Sequence, residues 1–169
     1  DETMRSRVGN RELLAEELRA ALGSGAVAVH YQPCIDLRTG NVLAVEASAS
    51  WEHATRGPLQ AGDFAEEADS AGLLAQLGEQ VLREATTRAR AWQHRFGTDA
   101  PSIHVKVAHR QVVDSALVDS VATVLRASGL RPSLLCLELS EAVLLEDSDQ
   151  AIGTVRDLKA LGVRLAIDD

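Results

Sequence analysis

The chain of 169 residues is 46% apolar and 25% charged, an ordinary globular composition that excludes a disordered tail or a fibrous repeat. A net charge of -8 sets it against nucleic-acid backbones, and no apolar run approaches the roughly 20 residues that span a bilayer. The opening DETMRSR has no apolar stretch behind a basic one, so no signal peptide is expected. The chain reads as cytoplasmic, with Cys34 and Cys136 as reduced, buried thiols.

In chain order, Arg11 to Leu22 places Leu14, Leu18 and Leu22 four apart, the spacing of one helix face, and Gly23 and Gly25 then stop the helix. Asp1 to Asn10 is polar and reads as the tail of a linker from an upstream domain. AVAVHYQPCIDL and VLAVEAS are strands, and the short link from Arg38 to Asn41 requires them to run antiparallel. Ala65 to Phe96 has helical spacing, with Gly72 and Gly78 expected to break it. SIHVKVA is a strand, Ser115 to Ser128 a helix, LLCLELS a strand, Asp149 to Leu161 a helix and VRLAIDD a strand. About five strands, the later ones alternating with helices, predict βα units around a parallel sheet whose apolar strands are covered on both faces. A complete (β/α)8 barrel needs about 250 residues, so an open sheet or a barrel lacking its last strands is expected.

The strand ends carry the chemistry. Glu46 closes the second strand, Lys106 and His109 the third, Glu138 and Glu141 the fourth, and Asp168 and Asp169 the last. Carboxylates at the C-terminal ends of parallel strands converge on one face, where barrel active sites lie. Clustered like charges need cations. Hard oxygen donors suit Mg²⁺ or Mn²⁺, and paired ions suit phosphate-ester hydrolysis. Taken singly, each acid is as well explained as a solvated strand end. His30, His53, His94, His104 and His109 show no paired metal-ligand spacing. Trp51 and His53 read as packing residues, Trp92 as a core or partner-facing residue, and Arg83, Arg88, Arg90 and Arg95 as a solvated helix face.

YQPCIDLRTGNVLAVEASASW resembles the opening of the EAL domain, the bacterial cyclic di-GMP phosphodiesterase family, and the likeness continues through DFAEEADSAGLLAQLGEQVLREA, SIHVKVAHRQ, LCLELSE and LGVRLAIDD. The resemblance implies an α/β fold: a TIM-like barrel of EAL type with an antiparallel first strand, incomplete, its last strands missing. Residues 1–22 would be a linker and N-terminal helix, similar to the joint behind a GGDEF domain, and residues 23–169 the N-terminal two-thirds of the EAL-like domain. By resemblance, Glu46, Glu138, Asp168 and Asp169 stand where the family ligates Mg²⁺ or Mn²⁺, Gln32 where it contacts the dinucleotide, and Glu141 where an acid orders an active-site loop.

Three positions depart from the family pattern. Ser48 replaces a leucine, and Ser50 an arginine that holds ligand phosphate; that charge-assisted contact is worth about 1.5–3 kcal/mol. Lys106 replaces an asparagine ligand; an ammonium has no acceptor and cannot ligate a cation, but it can either place its own charge among Glu46, Glu138 and Asp168 or turn outward to solvent. The family's catalytic lysine and glycine-rich loop have no counterpart in these residues, so no catalytic residue is assigned. The expectation is a cyclic di-GMP signalling module that is inactive as a phosphodiesterase, with weakened or absent metal, and regulatory or interacting in role. An active metal-dependent phosphodiesterase yielding pGpG is the rival, and a ligand-free homodimer scaffold joined at an exposed sheet edge the third reading.

Overall fold

The computed structural model describes residues 2–114, 116–145 and 149–168, without the side chains of residues 2–8, 10, 144 and 145. Helix α1 spans Glu2–Ser24, so the polar stretch expected as linker is helical. No proline interrupts it, and once a helix is nucleated each further turn is cheap. Its stripe of Leu14, Leu18, Ala21 and Leu22 is buried in the common core. Gly23 stays helical; Gly25, at φ 74°, is the left-handed residue that ends it, and Ala26 N–H returns to the Ala21 carbonyl at 2.9 Å.

Strands β1 (Val27–Ile35) and β2 (Val42–His53) form a long antiparallel hairpin from Val27↔Trp51 to Ile35↔Val42. Its loop is held by the Asp36 carboxylate, which accepts from Arg38 N–H at 2.8 Å. A sixth strand beyond the five expected, β3 (Gly57–Gln60), opens with a glycine and a proline, residue types that favour turns, and pairs antiparallel with the end of β2. Helix α2 (Ala61–Ser70) opens where Asp63 accepts from Gln60 N–H at 2.7 Å, and α3 (Leu74–Phe96) follows a tight corner at Gly72, φ 70°. Of the two glycines expected to break this stretch, only Gly72 does so. Gly78 lies inside α3, where a Cβ would meet Gln111 Nε2 at 2.3 Å, so its small size makes room for a neighbouring side chain.

The chain then alternates: β4 (Ser102–Val107), α4 (His109–Val113), α5 (Ala116–Ser128), β5 (Leu135–Ser140), α6 (Glu141–Leu145), α7 (Asp149–Ala160) and β6 (Arg164–Asp168). The sheet order is β1-β2-β4-β5-β6, with β2, β4, β5 and β6 parallel. This is a partial barrel, open between β1 and β6 among the described residues.

Its two faces differ. Val45, Ala47, Ile103, Val105, Leu135, Leu137 and Leu139 are buried against the helices. The alternate positions, Gln32, Glu46, His104, Lys106, Glu138 and Arg164, line the concave face, so the later strands are not apolar on both sides as the sequence suggested. Ile167 on the edge strand β6 is 48% exposed. The cysteine expectation needs one correction: Cys136 is buried, but Cys34 is exposed, because it sits on the edge strand β1 near the hairpin end, where no helix covers it.

Candidate functional site

The parallel register brings the candidate residues together, although Glu46 lies mid-strand and not at a strand end as expected, because β2 runs on to His53 and pairs there with β3. Glu46 on β2 lies beside Gln32 of β1 and His104 of β4; Lys106 lies beside Glu138 of β5, and Ser140 beside Asp168 of β6. Side-chain contacts do not simply follow these neighbours. Lys106 reaches across β5, and its Nζ donates to Asp168 Oδ2 at 2.5 Å. Glu138 is instead held by His104, whose Nδ1 stands 2.7 Å from Glu138 Oε1. An ionised carboxylate only accepts, so Nδ1 carries the proton. His104 Nε2 is 3.2 Å from Ser102 Oγ, which also lies 3.5 Å from the Leu43 carbonyl.

Lys106 therefore stands in an acidic surround. Its hydrogen bond to Asp168 raises the ammonium pKa above the ordinary lysine value; partial burial opposes this, and the charges of Asp168, Glu138 and Glu46 reinforce it. The ammonium is a cation already built into the cluster.

Glu46 is exposed, Ser48 half-buried and Ser50 buried at 2%. Glu141 is exposed at the start of α6. Asp169 lies outside the described residues. A cleft of about 520 Å³ opens beside the cluster, its polar side formed by Glu46, Ser48, Lys106 and Ser140, its apolar wall by Ala47, Ala49, Leu74, Leu77 and Val81. Ser140 Oγ is buried there without a hydrogen-bond partner among the described residues.

The donor set can be tested against the divalent ion that the strand-end acids suggest. Among the described residues no three His, Cys, Asp or Glu side chains converge as a set able to hold an ion. Two of the three described acids are already taken, Glu138 by an imidazole and Asp168 by an ammonium. As arranged, these residues do not fit a divalent cation.

In the sequence, His104 was set aside with the other histidines for want of paired metal-ligand spacing, and Ser102 and Ser140 were not singled out. The signal for the first two was the period-2 alternation of β4, which puts Ser102, His104 and Lys106 on one face. Trp51 and His53 are packing residues as expected: Trp51 contacts His53 and Phe64 at ring distances of 4.6 and 6.0 Å. Trp92 meets Tyr31 edge-on at 5.8 Å and is half-buried against the core.

Comparison with known proteins matches residues 15–169 to the EAL domain model. A Caulobacter vibrioides protein described as an uncharacterized signaling protein is 39% identical over 169 residues, 100% of this chain and 20% of that protein. MucR of Pseudomonas aeruginosa, a bifunctional diguanylate cyclase/cyclic di-GMP phosphodiesterase, is 34% identical over 169 residues, 100% of this chain and 24% of MucR. Among solved structures, the PaMucR phosphodiesterase in complex with c-di-GMP is similar with a TM-score of 0.86 at 36% identity, covering 93% of this chain and 63% of that one. The chain thus spans about a fifth to a quarter of the length of these curated relatives.

Proposed function

Because this chain belongs to the EAL domain family, we propose that it is a cyclic di-GMP signalling module whose strand-end acids are neutralised from within, so that it regulates or recruits rather than hydrolyses. The observation that carries this reading is the Lys106–Asp168 ion pair. An ammonium stands where the family pattern has an amide ligand, and it bonds one of the acids that would otherwise face an ion. Ser50 adds support, since a short buried hydroxyl cannot reproduce the bidentate grip of a guanidinium on phosphate. The cleft beside Glu46 and Lys106 is large enough to take part of a dinucleotide, with Gln32 on the neighbouring strand as a further contact. The solved MucR complex, with c-di-GMP in a domain of the same fold, supports that choice of ligand. The α1 helix, docked by its leucine stripe, is suited to join this module to an upstream GGDEF-like domain in the cytoplasm.

A second reading, an active metal-dependent phosphodiesterase, draws on the positions of Glu46, Glu138 and Asp168 along the parallel strands, with Asp169 as a fourth acid and Mg²⁺ or Mn²⁺ as the ion. The open edge of β1 favours a homodimer only as a third. Calorimetric titration of cyclic di-GMP into the protein, with Mn²⁺ and then with EDTA, separates them. Equal binding in both conditions and no pGpG formed is the expected result. Binding that needs Mn²⁺, or turnover, overturns the metal-independent reading; no binding in either condition removes the dinucleotide and leaves the scaffold.

A further inference from the structure

The two contacts that occupy the acids are crossed. Lys106 has Glu138 as its register neighbour on β5, yet its ammonium passes over that strand to Asp168 on β6. Glu138 turns to His104, which is in register not with Glu138 but with Cys136. Each contact permits the other. With Glu138 already satisfied by the imidazole, the ammonium is left to Asp168; with Lys106 drawn to Asp168, its ammonium does not compete with His104 for Glu138. Ser102 holds the far side of the ring through Nε2, so the imidazole is fixed at both nitrogens and its plane is set.

We propose that His104 and Lys106 act as a two-part internal lock that closes this carboxylate cluster to divalent cations, His104 by engaging Glu138 and Lys106 by engaging Asp168. His104 is thereby a positioning residue for the whole cluster. The proposal rests on the metal-independent reading above and adds to it a residue that neither the sequence pattern nor the family resemblance singles out.

The lock makes the two substitutions interdependent. Removing the ammonium alone, in Lys106→Asn, takes the lysine charge away from Asp168 and supplies an amide oxygen but leaves Glu138 held by His104. Removing the imidazole alone, in His104→Val, frees Glu138 but leaves an ammonium in the middle of the cluster. Only the double variant presents Glu46, Glu138, Asp168 and an amide oxygen together, a hard oxygen set suited to Mn²⁺. Interaction between neighbouring sites of this kind appears as non-additivity in a double-mutant cycle.

Mn²⁺ alone is titrated into the full chain and its variants by calorimetry, with the free ion followed by its electron paramagnetic resonance signal. Wild type is expected not to bind, each single variant to bind weakly or not at all, and the double variant to bind at least about tenfold more tightly than either. His104→Gln keeps a donor for Glu138, so His104→Gln combined with Lys106→Asn is expected to behave like Lys106→Asn alone. His104→Ala in place of His104→Val guards against a misfolded variant, and circular dichroism melts check that each protein is folded. Lys106→Asn binding Mn²⁺ as tightly as the double variant overturns the role of His104, as does a folded double variant with no affinity. Mn²⁺ binding by wild type overturns the metal-independent reading itself. The two failures are therefore distinct.

Discussion

Tyr31 shows how one side chain reports its surroundings. The chain's single tyrosine projects from β1 against Trp92, with Arg88 5.8 Å from its ring centre. Burial raises the phenol pKa above its usual 10.0; the Arg88 hydrogen bond and charge offset part of that, and Glu84 adds to it. Since the folded value exceeds the unfolded one, the associated stability is fully present below pH 10 and is lost as pH rises through the folded pKa. Absorbance titration at 295 nm should give a midpoint above 10.0 in buffer and a lower one in denaturant; coincident midpoints would contradict the packing described. The same scale shows what the sequence could convey about the site. Glu46, Lys106, Glu138 and Asp168 stood out because each lies in a recognisable strand, although Glu46 sits in the middle of β2, which runs on to His53 and does not close where the sequence suggested. His104 was not, because its partner Glu138 is 34 residues away and one strand over, a relation set by sheet register and not by local spacing.

Among the elements, α1 is the clearest case of packing over propensity. Its core-facing stripe is buried, while Leu13, one position from Leu14, is 49% exposed. Around the stripe, Glu17 receives a hydrogen bond from His53 Nε2 at 2.9 Å, and Arg11 bonds Glu66 and Glu67 on α2. The exposed charged contacts are worth little each, so the leucines hold the helix. Leu18→Ala, at a fully buried position, should cost about 2–5 kcal/mol in urea unfolding, and Leu13→Ala less than about 0.5 kcal/mol. Similar losses for both would mean that α1 is not docked as described. The helix was legible from its leucine spacing. Its start at Glu2 was not, since a polar helical turn and a polar linker have the same composition. β3 was missed for the opposite reason: glycine and proline usually mark turns, and only the free edge of β2 makes a strand of those four residues.

At the scale of the whole molecule, the parallel core, the antiparallel first hairpin and the polar concave face follow from one pattern, strands whose alternate residues face helices or each other. The fold class was therefore readable in advance, while the exposure of Cys34 depended on which strand formed an edge. That edge position has a practical consequence. The protein carries two thiols in opposite surroundings, Cys34 open to solvent and Cys136 buried within the central strand β5. A disulfide reagent such as Ellman's should therefore titrate one thiol per chain within seconds under native conditions. The second should react only as fast as the β4–β5–β6 region opens, and at once in denaturant. Two equally fast native thiols would contradict the burial of Cys136. If the outcome is as expected, the slow phase is a built-in clock for the opening of the strands that carry His104, Glu138 and Asp168, read without a label or a ligand.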